Sequence, residues 1–470
     1  MRERLMSSVI PVAPRSRRNV ELALLVLAIG IVLLAYAQVG MAMQDEVPPD
    51  LIYYGAGLVA LSGAIHLSLR LRAKYADPVL LPAATLLNGL GLVMIHRLDL
   101  AHPATRTGTD AYALRQLVWS AIGVVGAITV LWVIRDHRVL RRYTYTAMVV
   151  SLALLVLPLA PGIGKTINGS RIWIGLGPLS FQPGEIAKIT LAVFFAGYLV
   201  THRDVLSLVG RRFMGVALPR GRDLGPIIVA WLASLGVLVF EHDLGSSLLF
   251  FGLFVAMLYV ATERRSWIVI GLGLFAAGAY TAYLAFAHVQ DRVDIWLHAF
   301  DPAVLNKPFG GSYQVVQGLY GMAAGGMFGA GLGQGRPSMI PFAESDFIVP
   351  AFGEELGLVG LFGLLLIYGL IVERGLRTSI GVRDGFGKLL AAGLAFSVAL
   401  QCFVVVGGVT RLIPLTGLTM PFLSHGGSSL LANWSIVALL LRISDHARRP
   451  APEALPLPAP DEATQVVRVR

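Results

Sequence analysis

Apolar stretches recur from one end of the chain to the other, and most ionisable residues stand at the edges of a stretch rather than inside it. A run of roughly 18 to 20 apolar residues is what a helix needs to cross the hydrocarbon of a bilayer. Spans are expected at residues 20–43, 51–69, 78–96, 113–134, 143–160, 185–200, 224–240, 245–261, 267–287, 348–372, 387–409 and 424–441. The expected fold is therefore all-α and polytopic, an integral membrane protein of about twelve transmembrane helices. Between the ninth and tenth spans lies the longest interval of mixed polarity, residues 288–347, which should form one large loop.

Orientation follows from the basic residues, which favour the cytoplasmic ends of spans. One set of alternate connections holds Arg70, Arg72 and Lys74, then Arg135, Arg138, Arg141 and Arg142, then Arg203, Arg211, Arg212, Arg220 and Arg222. The same set continues through Arg264, Arg265, Arg374, Arg377, Arg383, Arg442, Arg448 and Arg449, whereas the other opens with Asp45, Glu46 and Asp50. Both termini are thus expected in the cytoplasm and the 288–347 loop outside it. The amino terminus imitates a signal peptide, with Arg2, Arg4, Arg15, Arg17 and Arg18 ahead of an apolar run and Ala35-Tyr36-Ala37 as a mock cleavage site. That run is too long for a signal core and more spans follow, so it is assigned as the first helix. Residues 450–460 alternate Pro with Ala, Leu and Glu and are expected to be disordered.

Composition narrows the picture. Only 14% of the 470 residues are charged, against about a quarter in soluble domains, which leaves no room for a large soluble domain. The net charge of +10 is accounted for by the one-sided basic loops, so no nucleic-acid partner is expected. The single cysteine, Cys402, excludes an internal disulfide.

The stretch from Gln290 to Glu355, which runs from this loop into the tenth span, gathers both signs of charge: Asp294, Asp301, Glu344, Asp346, Glu354 and Glu355 with Arg292, Lys307 and Arg336. In a membrane protein such a concentration points to the handling of a charged ligand. Asp301-Pro302 starts a turn in its blandest reading. Yet Trp296 and Phe300 stand beside it, and a carboxylate held against rings suits a general base. Glu185 and Lys188 share a helix face, so a salt bridge explains them, with a charged cavity floor as the functional alternative. Asp243 is accounted for as the N-cap of the eighth span. Either Glu354 or Glu355 is expected to be buried with Arg411 or Lys188 as partner. Gly164-Lys165-Thr166 lacks the earlier glycine of a phosphate-binding loop, because Leu159 stands there, and is rejected as one. Gly329, Gly331, Gly333 and Gly335 fit no dinucleotide motif and suggest a closely packed re-entrant or interfacial segment.

Several segments in order, GSRIWIGLGPLSFQPGEIAK, HDLGSS, FDP, SYQVVQG, ESDFIVPAFGEELG and LIPLTGLTMPFLSHGGSSLLANW, resemble the SEDS family of cell-wall polymerases, the RodA and FtsW proteins. The resemblance runs from about residue 78 to 442 and leans toward the RodA-type elongation members. It divides the chain into a basic amino terminus with two added helices (1–77), a ten-helix core (78–443) and a tail (444–470). It implies a peptidoglycan glycosyltransferase that polymerises lipid II on the outer face of the cytoplasmic membrane, with a class B penicillin-binding transpeptidase as partner and membrane lipids around it. Asp301 matches the family's essential aspartate, and Arg171, Trp173, Glu185, Lys188, Asp243, Arg292, Asp346 and Glu354 fall on other recurrent positions, expected to bind substrate. A divalent cation, Mg2+ or Mn2+, is a candidate cofactor. Gly184, His242, Glu344-Ser345 and His425 depart from the usual pattern and bear on fine positioning. A lipid II flippase would want ionisable residues through the bilayer midplane, and a mere scaffold would leave the charged loop without a purpose.

Overall fold

The computed structural model describes residues 16–450 apart from 103–110, 168–169, 177–178, 207–211, 214–215, 218–224, 242 and 308–310. Arg2, Arg4, Arg15, Arg211, Arg220, Arg222, His242 and the Pro-rich tail lie outside the described residues. The helices are α1 (Arg18–Gln44), α2 (Leu51–Arg72), α3 (Leu80–Leu100), α4 (Tyr112–Val133), α5 (Thr144–Val156), α6 (Pro183–Leu206), α7 (Gly225–Glu241) and α8 (Leu244–Thr262). They continue as α9 (Arg265–Ala285), α10 (Ala287–Leu297), α11 (Pro302–Leu305), α12 (Tyr313–Gly325), α13 (Ile348–Gly381), α14 (Gly385–Val409) and α15 (Gly427–Arg448).

Among the described residues, 11 segments are long and apolar enough to cross a membrane, α5 counting together with the 3-10 turns that flank it. The twelfth expected span is α7, whose 17 residues meet the lower limit for crossing. The chain is a multi-pass membrane protein built of helices. α15 runs on to Arg448, so residues 444–448, which the sequence reading gave to the tail, are helix.

Buried aromatics fill the bundle, Tyr36, Trp267, Phe347, Phe352, Tyr368, Phe386 and Phe422 among them. α4 packs on α15, α13 on α14, α5 on α6, and α1 on α3. The amino-terminal pair is joined to the core by polar contacts as well. The Tyr36 ring stacks on Tyr54 at 4.4 Å and on His96 at 4.9 Å, and its hydroxyl donates to Asp50. At the far end of the bundle, the buried Arg442 donates to the Arg72 and Leu131 carbonyls, and Arg448 pairs with the buried Asp77. These contacts fasten the end of α15 to the turn between α2 and α3.

Two departures from a plain helix bundle matter for the site. An antiparallel sheet is formed by β1 (Gly164–Ile167), β2 (Ser170–Leu176) and β3 (Leu179–Phe181), in the order β1-β2-β3. Alternation along β2 puts Arg171, Trp173 and Gly175 on one face and Ile172 and Ile174 on the other. The 288–347 segment is not an open loop either, since α10, α11 and α12 occupy much of it.

α13 is interrupted at Gly357, whose φ of 67° and ψ of −172° belong to a region open essentially to glycine alone. The interruption frees backbone groups that a lipid environment cannot satisfy, and the glycine-rich segment supplies the partners. Ala330 N donates to Glu354 O and Gly331 N to Glu355 O, each at 2.9 Å; Leu358 N donates to Gly326 O and Val359 N to Met327 O. Contact is so close that a Cβ on Gly357 would meet Gly329 N at 2.2 Å. Gly357→Ala should therefore destabilise the protein by about 1–3 kcal/mol. A thermal melt in detergent that is unchanged by the substitution would show that the junction relaxes freely.

Candidate active site

Asp301 follows α10 and occupies the N-cap position of α11, with Pro302 as the first helical residue. Around Asp301 itself the turn is held by backbone: Asp301 O accepts from Val304 N at 2.9 Å and Leu305 N at 2.8 Å, and Asp301 N donates to His298 O at 3.0 Å. Ser312, fully buried, closes the same turn by donating from its hydroxyl to Ala299 O. The Asp301 carboxylate caps nothing and is exposed, and it makes no hydrogen bond or ion pair among the described residues. The turn reading is thus right for the backbone and leaves the side chain without a structural task.

What aims this turn is Arg411, just beyond α14. Its guanidinium donates to the Trp296 carbonyl from Nε at 3.0 Å and from Nη2 at 2.7 Å, and to Leu297 O at 3.2 Å. Trp296 Nε1 donates back to Arg411 O at 3.0 Å. Those carbonyls end α10 and have no partner within it, so a cation there also meets the negative end of the helix dipole. The Arg411 guanidinium stands 5.3 Å from the centre of the Phe300 ring, next to Asp301.

A second group is linked electrostatically through Arg292 of α10, which acts on Asp243 ahead of α8 and on Asp346 ahead of α13. Asp243 caps α8, its Oδ1 accepting from Gly245 N at 2.9 Å and Ser246 N at 3.1 Å and its Oδ2 from the Ser246 hydroxyl at 2.6 Å. Burial pushes the Asp243 carboxyl up, and the capping bonds and Arg292 pull it back. Burial also pushes Asp346 up, to about 6, with Arg292 opposing and Glu344 assisting. Arg292 therefore lies within the field of two acids, yet it forms no ion pair with either among the described residues. The segment carrying Asp346 is strapped to the approach to α15, where Ser424 Oγ donates to Ser345 O and His425 N to Glu344 O.

The third group is internal. Lys188 pairs with Glu185 at 2.6 Å, the expected bridge one turn apart, and donates to Gln401 Oε1 at 2.8 Å. Gln401 in turn donates to Thr419 O at 2.9 Å, which carries the polar chain to the segment before α15. Glu354 Oε1 accepts from Arg336 N. Of the two neighbouring glutamates it is Glu355 that is wholly buried, and its partner is Arg97 on α3, at 2.5 Å. The expected partners, Arg411 and Lys188, are both committed elsewhere. Arg97 also donates to Gly335 O at 2.6 Å, and Glu355 Oε2 accepts from Gly333 N at 3.0 Å.

On the sheet, Lys165 stands directly across from Trp173. Arg171 turns to the end of the α5 segment, donating to Pro158 O at 3.1 Å and Ala160 O at 3.3 Å. Lys307, one of the cations of the charged segment, is held by Asp291 at 2.6 Å. The site residues named from sequence thus fall into three sets: Asp301 alone on its turn, Asp243 with Arg292 and Asp346, and Glu185 with Lys188. Arg171, Trp173 and Glu354 stand apart from all three. Arg97, Gln401 and the clamping role of Arg411 had no local signal beyond being polar residues at or within apolar spans.

Among the described residues, no trio of His, Cys, Asp or Glu side chains at this end converges closely enough to hold a metal ion. Mg2+ is commonly held by one or two carboxylates together with substrate phosphates, and no chemical step is assigned to a divalent ion here. An apolar cavity of about 350 Å3 lies between α5, α6, α7 and α8, lined by Met148, Leu155, Phe194, Tyr198, Phe250 and Phe254 among others.

Residues 77–449 match the family model of FtsW, RodA and SpoVE, described as a cell cycle protein. The chain is 50% identical over 445 residues to the peptidoglycan glycosyltransferase RodA of Mycobacterium tuberculosis, covering 94% of this chain and 93% of that one. It is also similar to a solved chain, 27% identical with a TM-score of 0.62, from a peptidoglycan synthase complex described as coordinating polymerization and crosslinking; the match covers 79% of this chain and 98% of that chain. A crystal structure of a variant of the Thermus thermophilus rod shape determining protein RodA matches at 25% identity with a TM-score of 0.54, over 78% of this chain and 97% of that chain.

Proposed function

The chain belongs to the cell cycle protein family of FtsW, RodA and SpoVE, and from that membership we propose a RodA-like peptidoglycan glycosyltransferase that polymerises lipid II, with Asp301 as its general base. The observation that carries the assignment of Asp301 is its free carboxylate on a turn fixed by backbone bonds and by the Arg411 clamp. A sugar hydroxyl is a poor nucleophile near neutral pH. As its oxygen bonds to the anomeric carbon, Asp301 takes the proton. The carbon–oxygen bond to the polyprenyl diphosphate breaks, and its electron pair leaves with the diphosphate, inverting the anomeric centre in a single displacement.

The departing diphosphate gathers negative charge and needs cationic donors in place beforehand. Arg292 and Lys165 suit this best, because neither is consumed by an ion pair among the described residues. Lys188 and Arg171 already donate inside the protein and act by shaping the site, together with Trp173, Glu185 and Glu354. The apolar cavity beside α5 and α8 is wide enough to take part of a polyprenyl chain while the headgroup stays at the charged end.

The basic connections favour cytoplasmic termini and an extracytoplasmic active site. A class B penicillin-binding transpeptidase is the proposed partner, in keeping with the synthase complex among the similar structures. The test is a glycan gel of purified protein, with and without that partner, on labelled lipid II. Polymer without ATP supports the proposal. Movement of lipid II across liposomes with no polymer would replace it with a flippase.

Asp346 gives this activity an expected pH limb. Its carboxyl, pushed up to about 6, is ionised at neutral pH, where it steadies Arg292. Polymerisation should fall as pH drops through about 6, and Asp346→Asn, slower throughout, should lack that limb. Stability should move the other way. A carboxyl whose folded pKa is raised stabilises the fold most in its protonated form, so its contribution grows as pH falls from about 6 toward the ordinary carboxylate range. Activity and stability that decline together over that interval would count against Asp346 as the cause.

A further inference from the structure

The end of the bundle opposite Asp301 carries a cluster that the polymerase chemistry does not use. α14 extends roughly 37 Å from Asp384, its N-cap, toward Arg411, so the two ends are well separated. At the Asp384 end, His137 in the turn between α4 and α5 is completely buried beside His446 of α15, their rings meeting edge to face at 5.1 Å between centres.

We propose that His137, His446 and Asp136 form a binding site for a divalent transition-metal ion of the zinc class. One ligand atom from each lies within 4.8 Å of the others. His137 Nδ1 and His446 Nδ1 stand 3.9 and 3.8 Å from the same oxygen, Asp136 Oδ1, too far for hydrogen bonds and close enough to close on an ion with a small shift.

An independent observation concerns the far side of the His137 ring. Nε2 lies 2.8 Å from Asp384 Oδ2, and Asp384 is itself fixed by accepting from Gly387 N at 2.7 Å. A carboxylate on one ring nitrogen fixes the proton there and leaves the lone pair on the other, the arrangement that orients histidine ligands in metal sites. His137 Nδ1 is that other nitrogen; it is buried and has no hydrogen-bond partner. The approach is built in, because a Cβ on Gly387 would meet His137 Nε2 at 2.4 Å. Asp136 is also held by Arg138, whose exposed side chain can swing aside. Two neutral imidazoles and one carboxylate suit a first-row ion, with water completing the shell. Bound there, the ion would tie the α4–α5 turn to the end of α15 and, through Asp384, to the start of α14.

The experiment uses the full-length protein, purified in detergent with a tag free of histidine, stripped by chelation and then given Zn2+. One ion per chain by elemental analysis and a rise in melting temperature are expected. His446→Ala should lose both responses, and Asp384→Asn, which removes no ligand, should weaken binding about 10- to 100-fold. His102→Ala, on a histidine away from the cluster, should bind zinc as the wild type does. Absence of bound zinc in the stripped and reloaded wild type, or equal binding in all three variants, overturns the proposal. Should His446→Ala fail to fold, the Asp384→Asn affinity decides.

Discussion

Asp301→Asn is expected to lower lipid II polymerisation by about 10²- to 10⁴-fold, the usual contribution of a placed general base, while leaving the protein folded. Folding should survive because the carboxylate supports nothing. The turn bonds run through the backbone of His298, Asp301, Val304 and Leu305, and an asparagine presents the same backbone groups. The substitution keeps shape and polarity and removes only the capacity to take a proton at neutral pH. A glycan gel compared with a thermal melt separates the two readings. Near-normal polymer from the variant would take Asp301 out of the reaction, whereas lost polymer with a lowered melting temperature would mean that the turn had been disturbed. Arg411→Ala makes a companion measurement, because it leaves Asp301 in place and releases the end of α10 that aims it.

Glu355→Ala is expected to be the most damaging single change to the scaffold, at about 3–5 kcal/mol, because it leaves the Arg97 guanidinium buried without its counter-charge. More than a pair would fail, since Glu355 Oε2 also receives Gly333 N and Arg97 also reaches Gly335 O. The glycine-rich segment would lose its attachment to α3 and to the interrupted α13. Arg97→Leu alone should be comparably damaging, and the double substitution Arg97→Leu with Glu355→Ala less so than the sum of the two, since no charge is then stranded. Melting temperatures for the four proteins complete the cycle. Additive losses would mean that the two residues act separately.

The twelve spans were legible because hydrophobic length is a local property, recorded in consecutive residues. The same holds for the cap Asp243 ahead of Leu244 and for the turn at Asp301-Pro302, each announced in a few letters. The sheet formed by β1, β2 and β3 was not seen, because its strands are as short as three residues and too short to show a clear alternation. Pairing across the bundle was illegible for a different reason. Glu355 meets a residue 258 positions away, and nothing near either one favours that partner over Arg411 or Lys188. Lys188 was readable only as far as Glu185, one turn off; its bond to Gln401 depends on how α6 leans against α14. Local pattern thus located the chemistry-bearing residues, and tertiary packing decided which of them remain available.

The amino-terminal pair has a lateral consequence. With α1 laid along α3 and α2 beside α4, the α3 surface is almost wholly covered, Leu80, Leu81, Leu87, Val93 and Met94 included. Acyl chains therefore reach this flank at α1 and α2, so a neighbouring single-pass anchor travelling in the same leaflet plane can touch α3 only by first prising that pair away. Apolar side chains face outward on other helices as well, on α9 at Val269, Leu272, Phe275, Tyr280 and Leu284 and on α13 at Val359, Phe362 and Leu366. Along this flank, then, a companion in the bilayer meets the added pair and not the core helix behind it.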